Sequence, residues 1–304
     1  MDLGWNGTGI VQKASIARVR ADIQNADSQG YKSYWLADHP TGGFDALTAL
    51  AVAGADGPEI ELGTAIVPTF PRHPMAMAAQ ALTAAQAVPG KFTLGIGLSH
   101  ETMMADLGID FVKPIRHLNE YLSILMPLLE SGEVDFKGEL LSCQAKIFQP
   151  QQVQCEVLVA ALGPQALRVA GKHAAGTTLA WVGAKTIREH IVPTINAAAE
   201  RHGRAKPRVV ATLPVCVTED IDGVRNVVAK NLGSYGQLPS YRAMFEREGV
   251  AGPADVAIIG SRQEVEDRIG EIKEAGATDF CPTIFALSPD DKLETESLLA
   301  SFCS

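Results

Sequence analysis

Short, nearly unbroken apolar runs recur along this chain, each ending in small or polar residues and giving way to a helical pattern. Eight can be read: Asp2–Asn6, Ser33–Asp38, Ile60–Pro68, Phe92–Leu98, Glu156–Leu162, Thr177–Trp181, Arg208–Val217 and Asp279–Phe285. Strands that are apolar on both sides belong in a parallel sheet covered on both faces, and the intervening helices supply the cover. Eight strand–helix units in 304 residues predict an α/β chain folded as a (β/α)8 TIM barrel with insertions, one domain over residues 1–304. No Gly-x-Gly-x-x-Gly follows the first run, which counts against a doubly wound dinucleotide-binding sheet.

Local signals punctuate the pattern. A turn is expected at Gly7 and Gly9, then a helix with Ile16, Val19, Ile23 and Ala26 on one face and Gly30 at its end. Pro40 blocks a helix directly after Asp38-His39, and the next helix is expected over Phe44–Ala53. Pro74 opens an Ala-rich helix that Pro89-Gly90 closes. A loop is expected from the fourth strand to Pro114, followed by a helix striped with Ile115, Leu118, Leu122, Leu125 and Leu129 and kinked at Pro127. Val134–Phe136 and Leu140–Ser142 read as an inserted hairpin, and helices are expected from Pro164, over Thr186–His202 and over Asp220–Asn231. Ser234–Asp255, rich in Gly and Pro, breaks the rhythm and is expected to be an insertion or mobile loop. Ser261 and Glu264 form a capping box, and a last helix starts at Pro289.

Hydrophobic residues make up 46% of the chain and charged residues 20%, enough apolar material for a full core. The net charge of −9 argues against a nucleic-acid partner, because phosphate binding needs a basic surface. The longest charge-free run, His73–Gly90, carries His, Gln and Pro and reads as a buried helix rather than a membrane span. No signal peptide is evident, and five scattered cysteines without a Cys-x-x-Cys pair suit small buried hydrophobes in a reducing, cytoplasmic setting.

In such a barrel, function gathers at the carboxyl ends of the strands. Those ends offer Asp38-His39, Ala65-Ile66-Val67-Pro68, Gly97-Leu98-Ser99-His100, Ala161-Leu162-Gly163-Pro164, Ala180-Trp181 and Thr283. They hold no cluster of carboxylates or paired histidines, so no metal site is expected. Small residues and exposed backbone suit a broad flat ring with polar edges. Asp38 and His39 offer a ring-edge contact and an acid–base group, or else a turn cap and a solvated loop residue. His100 is a site group or a polar residue closing its loop. His73 and His117, near helix starts, read as structural or surface residues. Free N–H groups at Gly163-Pro164 suit a phosphate, whereas Arg168 and Lys172 belong to a solvated face.

Leu62-Gly63-Thr64-Ala65-Ile66-Val67-Pro68, His73-Pro74 with its Ala-rich helix, Pro89-Gly90-Lys91-Phe92-Thr93-Leu94-Gly95-Ile96-Gly97 and Val157–Gly176 together resemble the bacterial-luciferase-like family. The resemblance runs over nearly the whole chain. It implies a barrel with insertions, usually a homodimer, that binds FMN or the deazaflavin coenzyme F420, and a non-prolyl cis peptide at Ala65-Ile66 backing the ring. Thr64, Ala65, Ile66, Val67, Gly97, Leu98 and Ser99 are then cofactor-binding, and Leu162, Gly163, Gln165 and Ala166 match backbone that grips the cofactor tail.

Asp38-His39 resembles the Asp-His pair of the F420-dependent sugar-phosphate dehydrogenases, which implies that Asp38 contacts the cofactor and His39 stands near the reacting carbon. His100 stands where those enzymes carry a Glu, and Met103 where they carry a cofactor-binding Asn. Their substrate-phosphate Lys and Thr fall near Gly183 and Ala180, so a sugar-phosphate substrate does not carry over. Gly97-Leu98-Ser99-His100 is similar to the F420 branch. The resemblance therefore implies an F420-dependent oxidoreductase acting on a small organic substrate, with His39 and His100 as catalytic residues. The alternatives are an FMN-dependent luciferase-like monooxygenase and a flavin- or deazaflavin-binding protein without catalysis.

Overall fold

The computed structural model describes residues 1–8, 15–40, 42–148 and 153–303, so the turn expected at Gly9 lies outside the described residues. Eight parallel strands pair in a closed ring: Asp2–Asn6, Ser33–Leu36, Glu61–Thr64, Phe92–Gly97, Cys155–Ala160, Gly176–Ala180, Arg208–Thr212 and Asp279–Phe280, which returns to the first. Strands Ser33–Leu36 and Phe92–Gly97 are buried at every position, as a barrel covered by helices requires.

The interior is filled in layers. In the middle lies the Trp35 indole, which donates its Nε1–H to Ser33 Oγ at 2.8 Å and packs with Leu158, Val210 and Cys281. A Cβ on Gly4 would fall 2.9 Å from Trp35 Nε1 and one on Gly63 would fall 2.4 Å from its ring, so glycine at both positions makes room for the indole. At the amino ends of the strands, Arg208 reaches Asp279 at 2.6 Å, Glu61 at 2.8 Å and Glu156 at 3.3 Å. Lys91 adds a second contact to Glu156 at 2.7 Å. This ionic floor leaves the opposite mouth to function.

Several expected boundaries shift. The runs Ile60–Pro68, Arg208–Val217 and Asp279–Phe285 are each broken into two short strands, with second pieces at Val67–Pro68, Pro214–Val217 and Thr283–Ile284. Pro214–Val217 leaves the ring to pair with Ile258–Gly260 and with Thr283–Ile284, and Ile258–Gly260 is a strand the apolar pattern did not reveal. The helix expected over Phe44–Ala53 runs Ala46–Gly54, because the Asp45 carboxylate accepts from Thr48 N and fixes the start. The loop expected up to Pro114 contains helix Glu101–Asp106. Pro127 stays inside helix Pro114–Glu130, where the N–H groups of Ser131 and Gly132 close onto its carbonyl.

Ser234–Asp255 is not an irregular loop. It is built as a 3-10 turn Gly233–Gln237, helix Pro239–Glu248 and helix Pro253–Val256, with Met244 and Phe245 buried. Its Pro residues open helices instead of breaking them. The hairpin is Glu133–Lys137 with Ser142–Lys146. Buried Glu120 accepts the N–H groups of Glu139, Leu140 and Leu141 at its turn. Burial raises the Glu120 pKa, but those three donors outweigh it and hold the carboxyl below its ordinary value.

His73 and His117 take structural places. His73 Nδ1 accepts from Met75 N as the cap of helix Pro74–Ala87. His117 stacks on Phe70 at 3.9 Å and meets Thr69 Oγ1 at 3.2 Å, and burial pushes its pKa down to about 4. Burial does the same to His173, with Lys172 and Arg204 nearby. Because both folded pKa values lie below the unfolded value near 6.5, the unfolded chain binds protons first as pH falls. Their contribution is complete above about pH 6.5 and lost toward pH 4. Urea unfolding at pH 7, 5.5 and 4.5 should show falling stability, with a shallower fall in His117→Phe.

Candidate functional site

The carboxyl ends of the strands carry small and polar residues that keep partial exposure: Asn6, Ala65, Ala160, Ala180, Thr212 and Thr283. Asn6 Nδ2 donates to Thr283 Oγ1 at 3.0 Å, tying the first and last strands together at the mouth. The peptide bond Ala65-Ile66 is cis. It sits in the bulge between Glu61–Thr64 and Val67–Pro68, where Asp38 N donates to Ile66 O and Ala65 N to Leu36 O. Thr64 Oγ1 donates to Gly95 O and accepts from Gly95 N, both at 2.8 Å, locking the bulge to the fourth strand. Thr64 and Val67 are fully buried and frame the bulge, whereas Ala65 and Ile66 are half-exposed and form its presented surface.

Gly97 is buried beneath that surface, and a Cβ there would stand 3.0 Å from Ile66 Cδ1 and 3.1 Å from Ala160 Cβ. Leu98 and Ser99 follow, half-exposed. Ser99 is held at φ 63°, a left-handed conformation rare for a residue with a side chain. Leu162 and Gly163 are half-exposed, Gln165 is exposed beside Arg168 and Lys172, and Ala166 is buried. Gly163 caps helix Pro164–His173 with no side-chain bond to its first N–H groups and open space where a Cβ would be. These features suit a flat ring with an anionic tail: a low floor under the ring and free helix N–H groups beside it.

Asp38 is only 8% exposed, and its Oδ2 lies 2.8 Å from Arg72 Nη2. The same guanidinium nitrogen reaches Asp45 at 2.5 Å. Burial raises the Asp38 pKa and Arg72 counters part of that rise. Asp38 is therefore held in place by Arg72, which the sequence did not single out. His39 is exposed at the next position. His100 starts helix Glu101–Asp106 without using its ring as a cap. Burial, then the neighbouring His39, hold the His100 pKa below its ordinary value. The two histidines, from different strand ends, thus stand within electrostatic reach of each other. Met103 lies one turn on, its sulfur 3.8 Å from Ser99 Oγ.

A second group of side chains joins His100 and Trp181 at the mouth: Tyr235 and Tyr241, from the Ser234–Asp255 segment, were not singled out by the sequence. Tyr235 meets His100 edge-on at 6.5 Å and Trp181 at 5.8 Å, and Tyr241 lies 5.8 Å from His100 and 5.1 Å from Tyr235. Trp181 adopts φ 60° and its buried Nε1–H has no hydrogen-bond partner among the described residues. His190 donates its Nε2–H to the Leu162 carbonyl at 2.9 Å from a π-helical turn, Ile187–Ile191, set in what was expected to be one regular helix. Among the described residues no group of three or more His, Cys, Asp or Glu side chains could hold a metal ion, and no helix is long and apolar enough to cross a membrane.

Comparisons with known proteins agree with this architecture. An F420-dependent glucose-6-phosphate dehydrogenase of Microbacterium testaceum is 27% identical over 206 residues, 64% of this chain and 61% of that one. The 5,10-methylenetetrahydromethanopterin reductase of Archaeoglobus fulgidus is 25% identical over 283 residues, 90% of this chain and 82% of that one. The coenzyme F420-dependent tetrahydromethanopterin reductase of Methanopyrus kandleri superposes with a TM-score of 0.79 at 20% identity, covering 98% of this chain and 97% of that one. The family described as luciferase-like monooxygenase matches residues 1–279. With the closed barrel, the Ala65-Ile66 bulge and that match over most of its length, this chain belongs to the luciferase-like monooxygenase family.

Proposed function

We propose that this protein is an F420-dependent oxidoreductase that moves a hydride between the deazaflavin and a small organic substrate. The observation that carries the reading is the convergence of Asp38, His39 and His100 around a low floor made by Ala65, Ile66 and Gly97. The similarity to an F420-dependent glucose-6-phosphate dehydrogenase supports the choice of cofactor. When bound, F420 supplies the hydride chemistry, and the protein supplies position and protons.

Ala65 and Ile66 would back the ring, leaving its other face to the substrate. Asp38, held by Arg72, would fix a ring edge, while Leu98, Ser99, Leu162 and Gly163 would line the remaining borders. Gln165 and Ala166 would continue the contact along the tail. His39 would stand at the reacting centre as the acid–base group. His100, kept neutral at pH 7 by its surroundings, would accept or relay a proton at its imidazole nitrogen. A homodimer in the cytoplasm belongs to the same proposal, and light scattering should then give about twice the 32.3 kDa chain mass.

Titration of the purified protein with F420 and with FMN tests the cofactor. We expect saturable binding of F420 and at least about tenfold weaker binding of FMN, a difference of about 1.4 kcal/mol. Tight FMN binding with none to F420 would instead favour the second reading, an FMN-dependent monooxygenase, which the description of the matched family supports.

A further inference from the structure

We infer that the substrate side of this site is bounded by an aromatic cluster, His100, Trp181, Tyr235 and Tyr241, and takes a flat, uncharged, largely apolar molecule and not a phosphorylated one. The inference rests on the proposed oxidoreductase reading and adds a substrate class to it. His100 follows the fourth strand and Trp181 the sixth, and Tyr235 touches both rings. Tyr235 therefore stands over the end of strand Cys155–Ala160, which lies between those two in the sheet. Tyr241 backs it in an edge contact. Such rings offer faces and edges to another flat ring, with offset or edge-to-face geometry preferred. The Trp181 Nε1–H, buried and without a hydrogen-bond partner among the described residues, is a donor within this cluster for a carbonyl or ether oxygen.

The backbone donors at the next helix start are already taken by a carboxylate. Helix Pro239–Glu248, which carries Tyr241, brings the Glu248 carboxylate to the start of the helix after strand Gly176–Ala180. There Glu248 accepts the N–H groups of Thr186 at 2.8 Å and Lys185 at 3.2 Å. A Cβ on Gly183 would lie 2.3 Å from Glu248 Oε1, so the carboxylate is packed tightly against that glycine. An internal negative charge on those donors both uses them and repels a phosphate.

Isothermal titration with coumarin, a neutral bicyclic ring, and with glucose 6-phosphate tests this, on the protein with and without F420. Coumarin should bind, Tyr235→Ala should weaken it at least about tenfold, and Tyr235→Phe, which keeps the ring, should restore it to within about threefold. Glucose 6-phosphate should bind at least about tenfold more weakly than coumarin. Equal or tighter binding of the sugar phosphate, or coumarin affinity unchanged in Tyr235→Ala, overturns the inference. The F420 affinity of the same samples, measured separately, tells a failed cofactor assignment from a failed substrate assignment.

Discussion

Arg208→Ala is expected to remove about 3–5 kcal/mol of stability, a large part of the roughly 5–15 kcal/mol that a folded protein has to lose. Arg208 comes from the start of the seventh barrel strand and meets carboxylates from the third, fifth and eighth. Asp279 is 5% exposed and Glu61 14%, so removing the guanidinium leaves negative charges facing one another away from water. Lys91 remains to pair with Glu156 but sits 3.8 Å from Glu61 and has no contact with Asp279. Arg208→Lys should also be costly, because one ammonium cannot reproduce the fork that engages Asp279 and Glu61 through both terminal nitrogens. Denaturant unfolding monitored by circular dichroism measures both variants, and an Arg208→Ala loss below about 1 kcal/mol would refute this role for the ionic floor.

At the opposite mouth, His39→Ala is expected to lower kcat/KM by about 10²-fold or more while leaving F420 affinity within about threefold. His39 is exposed and adjoins the buried, Arg72-held Asp38, so its removal should spare the floor and the edge contact. His100→Ala should cost less if His100 relays the proton. The pH profile separates the two histidines. His100 is pushed below the ordinary value of 6.5, by burial first and by His39 second, so it is neutral and able to accept a proton at pH 7. Its acid limb should lie below pH 6.5 and should move upward in His39→Ala, as one source of the depression is removed. A loss of F420 binding equal to the loss of activity would assign His39 to the cofactor instead of the proton.

The barrel was legible because its signal is spread over eight repeats, so boundary errors of a residue or two at each strand do not alter the topology. The breaks at Ala65-Ile66, Leu213 and Cys281-Pro282 were hidden inside apolar runs, since a kinked strand and a straight one can share the same hydrophobicity. Asp38, Gly97 and Ser99 could be put at the mouth from strand ends alone. Arg72 could not, because its tie to Asp38 crosses 34 positions of sequence and nothing local marks it. Tyr235 and Tyr241 were lost for a different reason. Their Gly- and Pro-rich segment was expected on the substrate side but read as irregular, so which side chains it presents followed only from helix Pro239–Glu248 and the burial of Met244 and Phe245. The π-helical turn that delivers His190 to the Leu162 carbonyl has no sequence signature of its own.

The most direct measurement is anaerobic stopped-flow mixing of the protein and reduced F420 with a panel of uncharged carbonyl acceptors. An F420-dependent oxidoreductase predicts acceptor-dependent oxidation of the deazaflavin without oxygen, at a rate that falls about 10²-fold in His39→Ala. Oxidation that never depends on the acceptor, or turnover obtained only with reduced FMN and oxygen, would contradict it.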